Sequence, residues 1–158
     1  MKVKECMCTD IACVKPETTI CDVAKLMLNK HVGCIPVCDN NKNVVGLVTD
    51  RDLALRSLAC EKDIKQTPVS EIMTTKVFNV SPDAEVSEVE KIMCDCQIRR
   101  VPVVENDILV GIITVGDLAN NQNVPHNEVS NTVEGICKCG ENSKNAEWII
   151  ICMIKYIA

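Results

Sequence analysis

Aromatic side chains are almost missing: one Phe, one Tyr and one Trp in 158 residues, 2% of the chain. Single-stranded nucleic acid is held by stacked aromatic rings over a cationic groove. Cations are short as well, 17 basic side chains against 22 acidic ones, for a net charge of −5. Both shortages argue against a nucleic-acid partner. Long apolar runs are also scarce. Residues 148–158 form an eleven-residue run broken by Lys155, too short to cross a bilayer, so no membrane partner is expected. Met1-Lys2-Val3-Lys4-Glu5 leads into no apolar stretch. No secretory leader is read there, and the expected compartment is the cytoplasm.

Catalytic signatures are missing too. His31 and His126 are the only histidines, and neither stands in a pattern with a serine or cysteine nucleophile. There is no G-x-S-x-G, P-loop, G-x-G-x-x-G or H-E-x-x-H. The chain therefore reads as a non-enzyme.

Cysteine, by contrast, is abundant, with twelve residues. A disulfide framework belongs to small secreted chains. Structural zinc wants pairs spaced C-x2–4-C, whereas Cys6/Cys8, Cys94/Cys96 and Cys137/Cys139 have one intervening residue and only Cys34/Cys38 has more. Most of the thiols read instead as small buried hydrophobes, with Cys13, Cys21, Cys34 and Cys96 among apolar neighbours and no metal expected. Cys137-Lys138-Cys139-Gly140 stands apart from the regular body and keeps open a thiol-based metal or redox role.

With 47% hydrophobic and 25% charged residues, the composition is that of a globular domain able to bury roughly 70% of its unfolded surface. Its organisation follows from an internal duplication. Adding 66 carries Val3, Glu5 and Met7 onto Val69, Glu71 and Met73, and Val14 and Pro16 onto Val80 and Pro82. The same offset carries Val23 and Met27 onto Val89 and Met93, and Pro36 and Val37 onto Pro102 and Val103. It then falls to 65, carrying Gly46, Thr49, Asp52 and Leu53 onto Gly111, Thr114, Asp117 and Leu118. The lost residue falls in a polar turn, where deletions are tolerated.

Each copy reads as β-α-β-β-α. An apolar segment (11–14; 77–80) ends at a proline. A helix follows, with Ile20, Val23, Ala24, Met27 and Leu28 on one face, repeated by Val86, Val89, Ile92, Met93 and Cys96. Thr19 and Asp22 have capping-box spacing at its start. Two strands rich in Val and Ile then flank a turn, and a second helix begins after Thr49 or Thr114. The expected fold class is α/β (α+β), two such repeats packed sheet to sheet about a pseudo-two-fold axis. Repeat 1 is placed at 3–60, a linker at 61–68, repeat 2 at 69–122 and a tail of unknown role at 123–158. Within the tail, 123–138 is expected to add a short helix, and the end from Trp148 a strand or helix.

The duplicated ending is Gly-Leu-Val-Thr-Asp-Arg-Asp (46–52) and Gly-Ile-Ile-Thr-Val-Gly-Asp (111–117). Read plainly, the threonine caps a helix and the aspartate at N3 answers it. The same geometry suits a ribonucleotide. Free N–H groups at a helix start seat a phosphate, and an aspartate one turn on accepts from ribose hydroxyls. Ile98-Arg99-Arg100-Val101-Pro102-Val103 adds adjacent guanidinium groups before a buried strand, in fork geometry suited to phosphate. The matching positions of the first copy are Gly33 and Cys34.

These residues resemble a pair of CBS domains, a Bateman module, over about residues 3–120. More narrowly, the chain is similar to small stand-alone bacterial proteins made only of this module. The resemblance implies no obligatory cofactor, and adenosyl ligands (AMP, ADP, ATP, in some members S-adenosylmethionine) in two clefts shared between repeats. One would join Thr49 and Asp52 to Lys76, Val77, Val80, Arg99, Arg100, Val101 and Pro102. The other would join Thr114 and Asp117 to Ile11, Ala12, Val32, Cys34, Ile35 and Pro36; without arginine, it is expected to be weaker or empty. Aspartates would hold ribose, threonines and arginines phosphate, and Val77, Ile35 and Val101 the base. The implied function is non-enzymatic sensing of adenine nucleotides, with a homodimer and an unknown regulated protein as partners. A thiol-based sensor or a ligand-free interaction module on the same scaffold are the rivals.

Overall fold

Three threonines start three helices. The computed structural model describes residues 1–138; the pairing of Cys137 with Cys139, and the end from Trp148, lie outside the described residues. Thr19 opens α1 (Ile20–Lys30), accepting the Asp22 amide and donating to Asp22 Oδ2 at 2.9 Å. The chain leaves α1 through His31 in the left-handed region and enters β1 (Cys34–Cys38). A turn returns it as β2 (Val44–Thr49), antiparallel to β1. Thr49 then opens α2 (Asp50–Leu53), which runs into a π-helical turn at Ala54–Leu58. Repeat 2 follows the same order: α3 (Val86–Cys96), β3 (Arg100–Glu105), β4 (Ile108–Thr114) and α4 (Val115–Asn120), the last opened by Thr114.

The deletion lies where a turn can absorb it. Cys38 pairs with Val44 across a loop in which Asp39 Oδ1 accepts the Asn41 and Asn43 amides. In repeat 2 the strands run one pair further, to Glu105 with Ile108. Asn106 and Asp107 close that hairpin with both φ positive, 50° and 66°, as a tight two-residue turn requires. The two hairpins meet at these tips, where Leu109 N donates to Lys42 O at 3.2 Å.

The strands expected at 11–14 and 77–80 are reduced to one parallel bridge each, Val14 with Val37 and Val80 with Val103. Prolines are the reason. Val14 N donates to Pro36 O and Cys38 N to Val14 O, at 3.1 and 2.8 Å. The next bonds in either direction would need N–H groups from Pro16 and Pro36, which have none. Pro82 and Pro102 truncate the second copy in the same way.

Each hairpin buries one face under a helix. In α1 the buried stripe is Ile20, Val23 and Met27, and in α3 it is Val86, Val89 and Met93. Ala24 and Leu28, expected on that face, are exposed, Leu28 by 72%. A hairpin of two strands is narrow enough that the i, i+3, i+7 stripe alone meets it. The thiols divide similarly. Cys34 and Cys38 are buried and Cys21 and Cys96 half-buried, but Cys13, expected inside, is exposed.

Neither core is closed by its own repeat. Val3, fully buried, belongs to the repeat-2 cluster, while Val69 and Ile72 complete that of repeat 1. The backbone repeats the exchange. Val3 N and Lys4 N donate to Ala84 O and Pro82 O, and Val69 N and Ser70 N donate to Thr18 O and Pro16 O. Cys8 then bridges to Ile112, and Thr74 to Leu47.

The short helix expected within 123–138 is α5 (His126–Cys137), which packs on α3 and α4. Gly135 lets it approach: a Cβ there would lie 2.4 Å from Cys94 Sγ. Glu90 of α3 is caught in this contact, half-buried, with Oε1 lacking a hydrogen-bond partner among the described residues. Burial raises its carboxyl pKa above the usual range, and Glu128 on α5 adds to the shift, against a hydrogen bond to Thr132. A raised folded-state pKa penalises the ionised form, and the penalty disappears as pH falls through that pKa toward the unfolded value. Glu90→Gln is therefore expected to raise the melting temperature at pH 7. The gain over the parent should shrink toward zero below the carboxylate range, as thermal scans across pH will show.

Candidate functional site

At the end of β2 the chain turns from strand to helix within one residue, and Thr49 and Asp52 make that turn. Thr49 Oγ1 accepts the Asp52 amide at 3.2 Å, while Asp52 Oδ2 accepts the Thr49 amide and hydroxyl at 2.9 and 2.8 Å. Thr114 and Asp117 repeat this capping box at 3.2, 2.7 and 2.7 Å. The two aspartates differ in their second oxygen. Asp52 Oδ1 lies 3.3 Å from Arg56 Nε, whereas Asp117 Oδ1 has no hydrogen-bond or ion-pair partner among the described residues.

Arg100 starts β3 opposite Thr114, yet its guanidinium reaches across to repeat 1. A Cβ on Gly33 would lie 3.3 Å from Arg100 Nη2 and 2.7 Å from Asp50 Oδ2, so glycine leaves the space these two groups use. The adjacent Cys34 thiol is pushed up to about 12, chiefly by burial. Arg100 opposes that shift, and the Asp52 and Asp50 carboxylates add to it. One thiol thus has Arg100, Asp52 and Asp50 around it. Cys34, assigned to the second cleft from sequence, is the cross-strand neighbour of Thr49 and lies with the first group. Cys38 is also raised by burial. Alkylation of the native protein is expected to modify exposed Cys8, Cys13 and Cys137 first and to reach Cys34 and Cys38 only on unfolding. Peptide mapping that finds Cys34 modified as fast as Cys13 would contradict this geometry.

The remaining sequence-derived residues fall into three groups. Val80, Val101, Pro102, Ile35 and Pro36 are buried. A ligand at the surface would meet their backbone, so the base-sandwiching role expected for the Val101 and Ile35 side chains is not available to them. Val77, Ile11 and Ala12 are half-buried and Val32 is 41% exposed. Arg99 is exposed, and its carbonyl accepts the Val115 amide at 3.1 Å. Lys76 sits 5.7 Å over the Phe78 ring and acts on the Cys96 thiol. Of the residues expected in the second cleft, Asp117 acts on Cys6, whose pKa is raised first by burial.

Three contributors escaped the sequence reading. Asp50 stands beside Arg100. Phe78, the one phenylalanine, is 39% exposed in the 76–80 segment and offers a face for a planar base. Arg56 had a visible signal, the i, i+4 spacing from Asp52. A cavity of about 270 Å³ lies at the hairpin tips, lined by Asn43, Val44, Asn79, Val104 and Asp107. That lining includes no cation to meet a phosphate.

Comparison with known proteins agrees with this architecture. The CBS domain family matches residues 3–58 and 69–123. The CBS domain-containing protein YhcV of Bacillus subtilis is 44% identical over 120 residues, covering 76% of this chain and 84% of its own. Among solved structures, Hypoxic Response Protein I with two coordinated zinc ions superposes with a TM-score of 0.72 at 29% identity, covering 79% of this chain and all of that one. The CBS domain pair of protein MJ0100, in complex with 5-methylthioadenosine and S-adenosyl-L-methionine, gives 0.68 at 28% identity, covering 75% and 93%.

Proposed function

The chain belongs to the CBS domain family, with two domains in residues 3–123, and on that premise we propose that it is a non-catalytic regulatory module binding an adenine nucleotide between its repeats. One observation carries the reading: the guanidinium of Arg100, from repeat 2, comes to Gly33 and Cys34 beside the Thr49–Asp52 cap of repeat 1. A carboxylate for a sugar diol and a fork of donors for a phosphate then stand at one mouth. Thr49 has a single hydroxyl proton, now given to Asp52. Binding turns it toward the phosphate and leaves Asp52 Oδ2 open to a ribose hydroxyl. Arg99 adds positive charge at the rim, and Phe78 and Val77 offer apolar surface to the base. The second cleft, with Thr114 and Asp117, has no guanidinium assigned to it and is the weaker.

The MJ0100 pair, which binds two adenosyl compounds, supports this ligand class. The zinc-bearing relative keeps the metal reading alive for comparison, although no group of three or more His, Cys, Asp or Glu is placed to hold an ion among the described residues. Thermal shift against AMP, ADP, ATP and S-adenosylmethionine tests the reading. A ligand at ~100 times its Kd adds about 2.7 kcal/mol, roughly 5–10 °C for a chain of this size. No shift with any of the four, together with metal in protein purified without chelator, would replace this reading with the thiol-based one.

Self-association fits the same picture. Leu28, Val32, Leu55 and Leu58 are apolar residues of repeat 1 left 72, 41, 50 and 66% exposed. Their counterparts are Cys94 and Ile98, half-buried, and the polar Asn120 and Asn123, with Cys94 lying under α5. A homodimer through repeat 1 would cover these side chains. The compartment read from the sequence is cytoplasmic.

A further inference from the structure

Arg56 joins three partners beside the first cleft. Its Nη1 donates to Ile72 O at 2.9 Å and to Thr74 Oγ1 at 3.2 Å, while Nε lies 3.3 Å from Asp52 Oδ1. Both ends of the ion pair are largely shielded, with 23% of the Arg56 side chain and 13% of Asp52 exposed. Thr74 is in turn joined to β2 by two backbone bonds, Thr74 N to Leu47 O and Leu47 N to Thr74 O, each 2.9 Å. From there the chain runs directly into 76–80, the segment that the nucleotide reading takes as the opposite wall of the same cleft. One guanidinium therefore ties the sugar-side carboxylate to the segment that leads into the facing wall.

The helix is distorted where this happens. After Leu53 it widens to a π turn, with Ala59 N donating to Ala54 O, and the Ser57 hydroxyl, wholly buried, donates to Leu53 O. Such turns are rare and concentrate at functional places. Repeat 2 has nothing equivalent. Its position matching Arg56 is Asn121, α4 stays regular to Asn120, and Asp117 Oδ1 is left without a partner among the described residues. The pseudo-symmetry is broken at the same residue that holds Asp52.

We infer that Arg56 is the positioning residue of the first cleft: it orients Asp52 for a ribose diol and transmits occupancy of that carboxylate to the Ile72–Thr74 segment. The inference rests on the nucleotide reading above. Asp52 has one oxygen filled by Thr49 and the other anchored by Arg56, so the carboxylate plane is fixed before the sugar arrives, and little ordering remains for the ligand to impose. One ribose hydroxyl takes the Oδ2 that the Thr49 hydroxyl vacates, and the second, reaching Oδ1, must share or displace the Arg56 contact. By linkage, whatever it does to Arg56 is felt at Ile72 and Thr74.

Calorimetric titration with AMP and 2′-deoxy-AMP tests this on the full chain, together with hydrogen exchange at the Leu47 and Thr74 amides. The parent should prefer AMP by roughly tenfold or more, the worth of a hydrogen bond to a charged group, and AMP should change exchange at both amides. Arg56→Gln should lower AMP affinity, leave 2′-deoxy-AMP affinity nearly unchanged, and abolish the exchange response. Arg56→Lys, which keeps the charge but not the fork, should be intermediate, and serves as the test variant if Arg56→Gln fails to fold. In Asp52→Asn, adding Arg56→Gln should remove no further preference. Equal loss for both nucleotides, or an unchanged preference, overturns the inference while the nucleotide reading stands. Failure of the parent to bind AMP at all overturns both.

Discussion

Asp52→Ala is expected to abolish most of the AMP-induced rise in melting temperature, with Arg100→Ala close behind. Hydrogen bonds to a carboxylate contribute about 1.5–3 kcal/mol each, so losing the acceptor for two sugar hydroxyls weakens binding by roughly 100-fold or more. Stability must be separated from binding, because Asp52 also closes a capping box. Removing that function costs about 0.5–2 kcal/mol of fold stability and leaves Arg56 without its carboxylate. Asp117→Ala supplies the comparison. It removes an equivalent capping box and should lower the ligand-free melting temperature, yet cost far less of the AMP response. Arg100→Ala touches no cap, so its expected signature is lost ligand response at nearly constant intrinsic stability. Titration calorimetry with thermal scans of all three variants separates these outcomes. If Asp52→Ala and Arg100→Ala both keep the parent response, the assignment of the first cleft is wrong.

Val3→Asp is expected to be the most damaging single change to the fold. The residue is fully buried in the repeat-2 core, and no cationic side chain belongs to that cluster. An uncompensated buried charge costs about 3–5 kcal/mol, a large share of the margin of a domain whose total is about 5–15 kcal/mol. Val69→Asp should do the same to repeat 1, since Val69 occupies the mirror position in the other cluster. The distinguishing readout is where the damage appears. Hydrogen exchange in Val3→Asp should rise first in α3 and β3–β4, some 80 residues away in sequence, before α1. Exchange confined to the first few residues would show that the leading segment is dispensable to the repeat-2 core.

The sequence made the duplication, the helix starts and the hairpins legible because each rests on a short-range rule. Thr-x-x-Asp encodes a capping box within four residues, and all three threonines so placed proved to cap helices. The truncated strands at Val14 and Val80 were also written there, in Pro16, Pro36, Pro82 and Pro102, but only once a register showed which N–H groups the ladder lacked. The exchange of Val3 and Val69 was not legible, since a valine looks the same whichever core receives it. Leu28 failed for a related reason: periodicity reports an apolar face, not the width of what covers it. In the site, Arg100 stood out as a cation before a buried strand. Arg56 did not, because two of its three partners are a carbonyl and a hydroxyl more than 15 residues away.

The crossed leading segments also fix an order of events during synthesis. Val3 emerges from the ribosome long before the cluster it joins is complete, since members of that cluster extend to Ile136. At roughly 5–20 residues per second the wait is on the order of 7–27 s. The repeat-1 cluster is complete much sooner, because its members run only from Val14 to Ile72, with Met73 packed against them. The first copy can therefore close its core while the second is still being made, and the leading segment at Val3 is left waiting for its own.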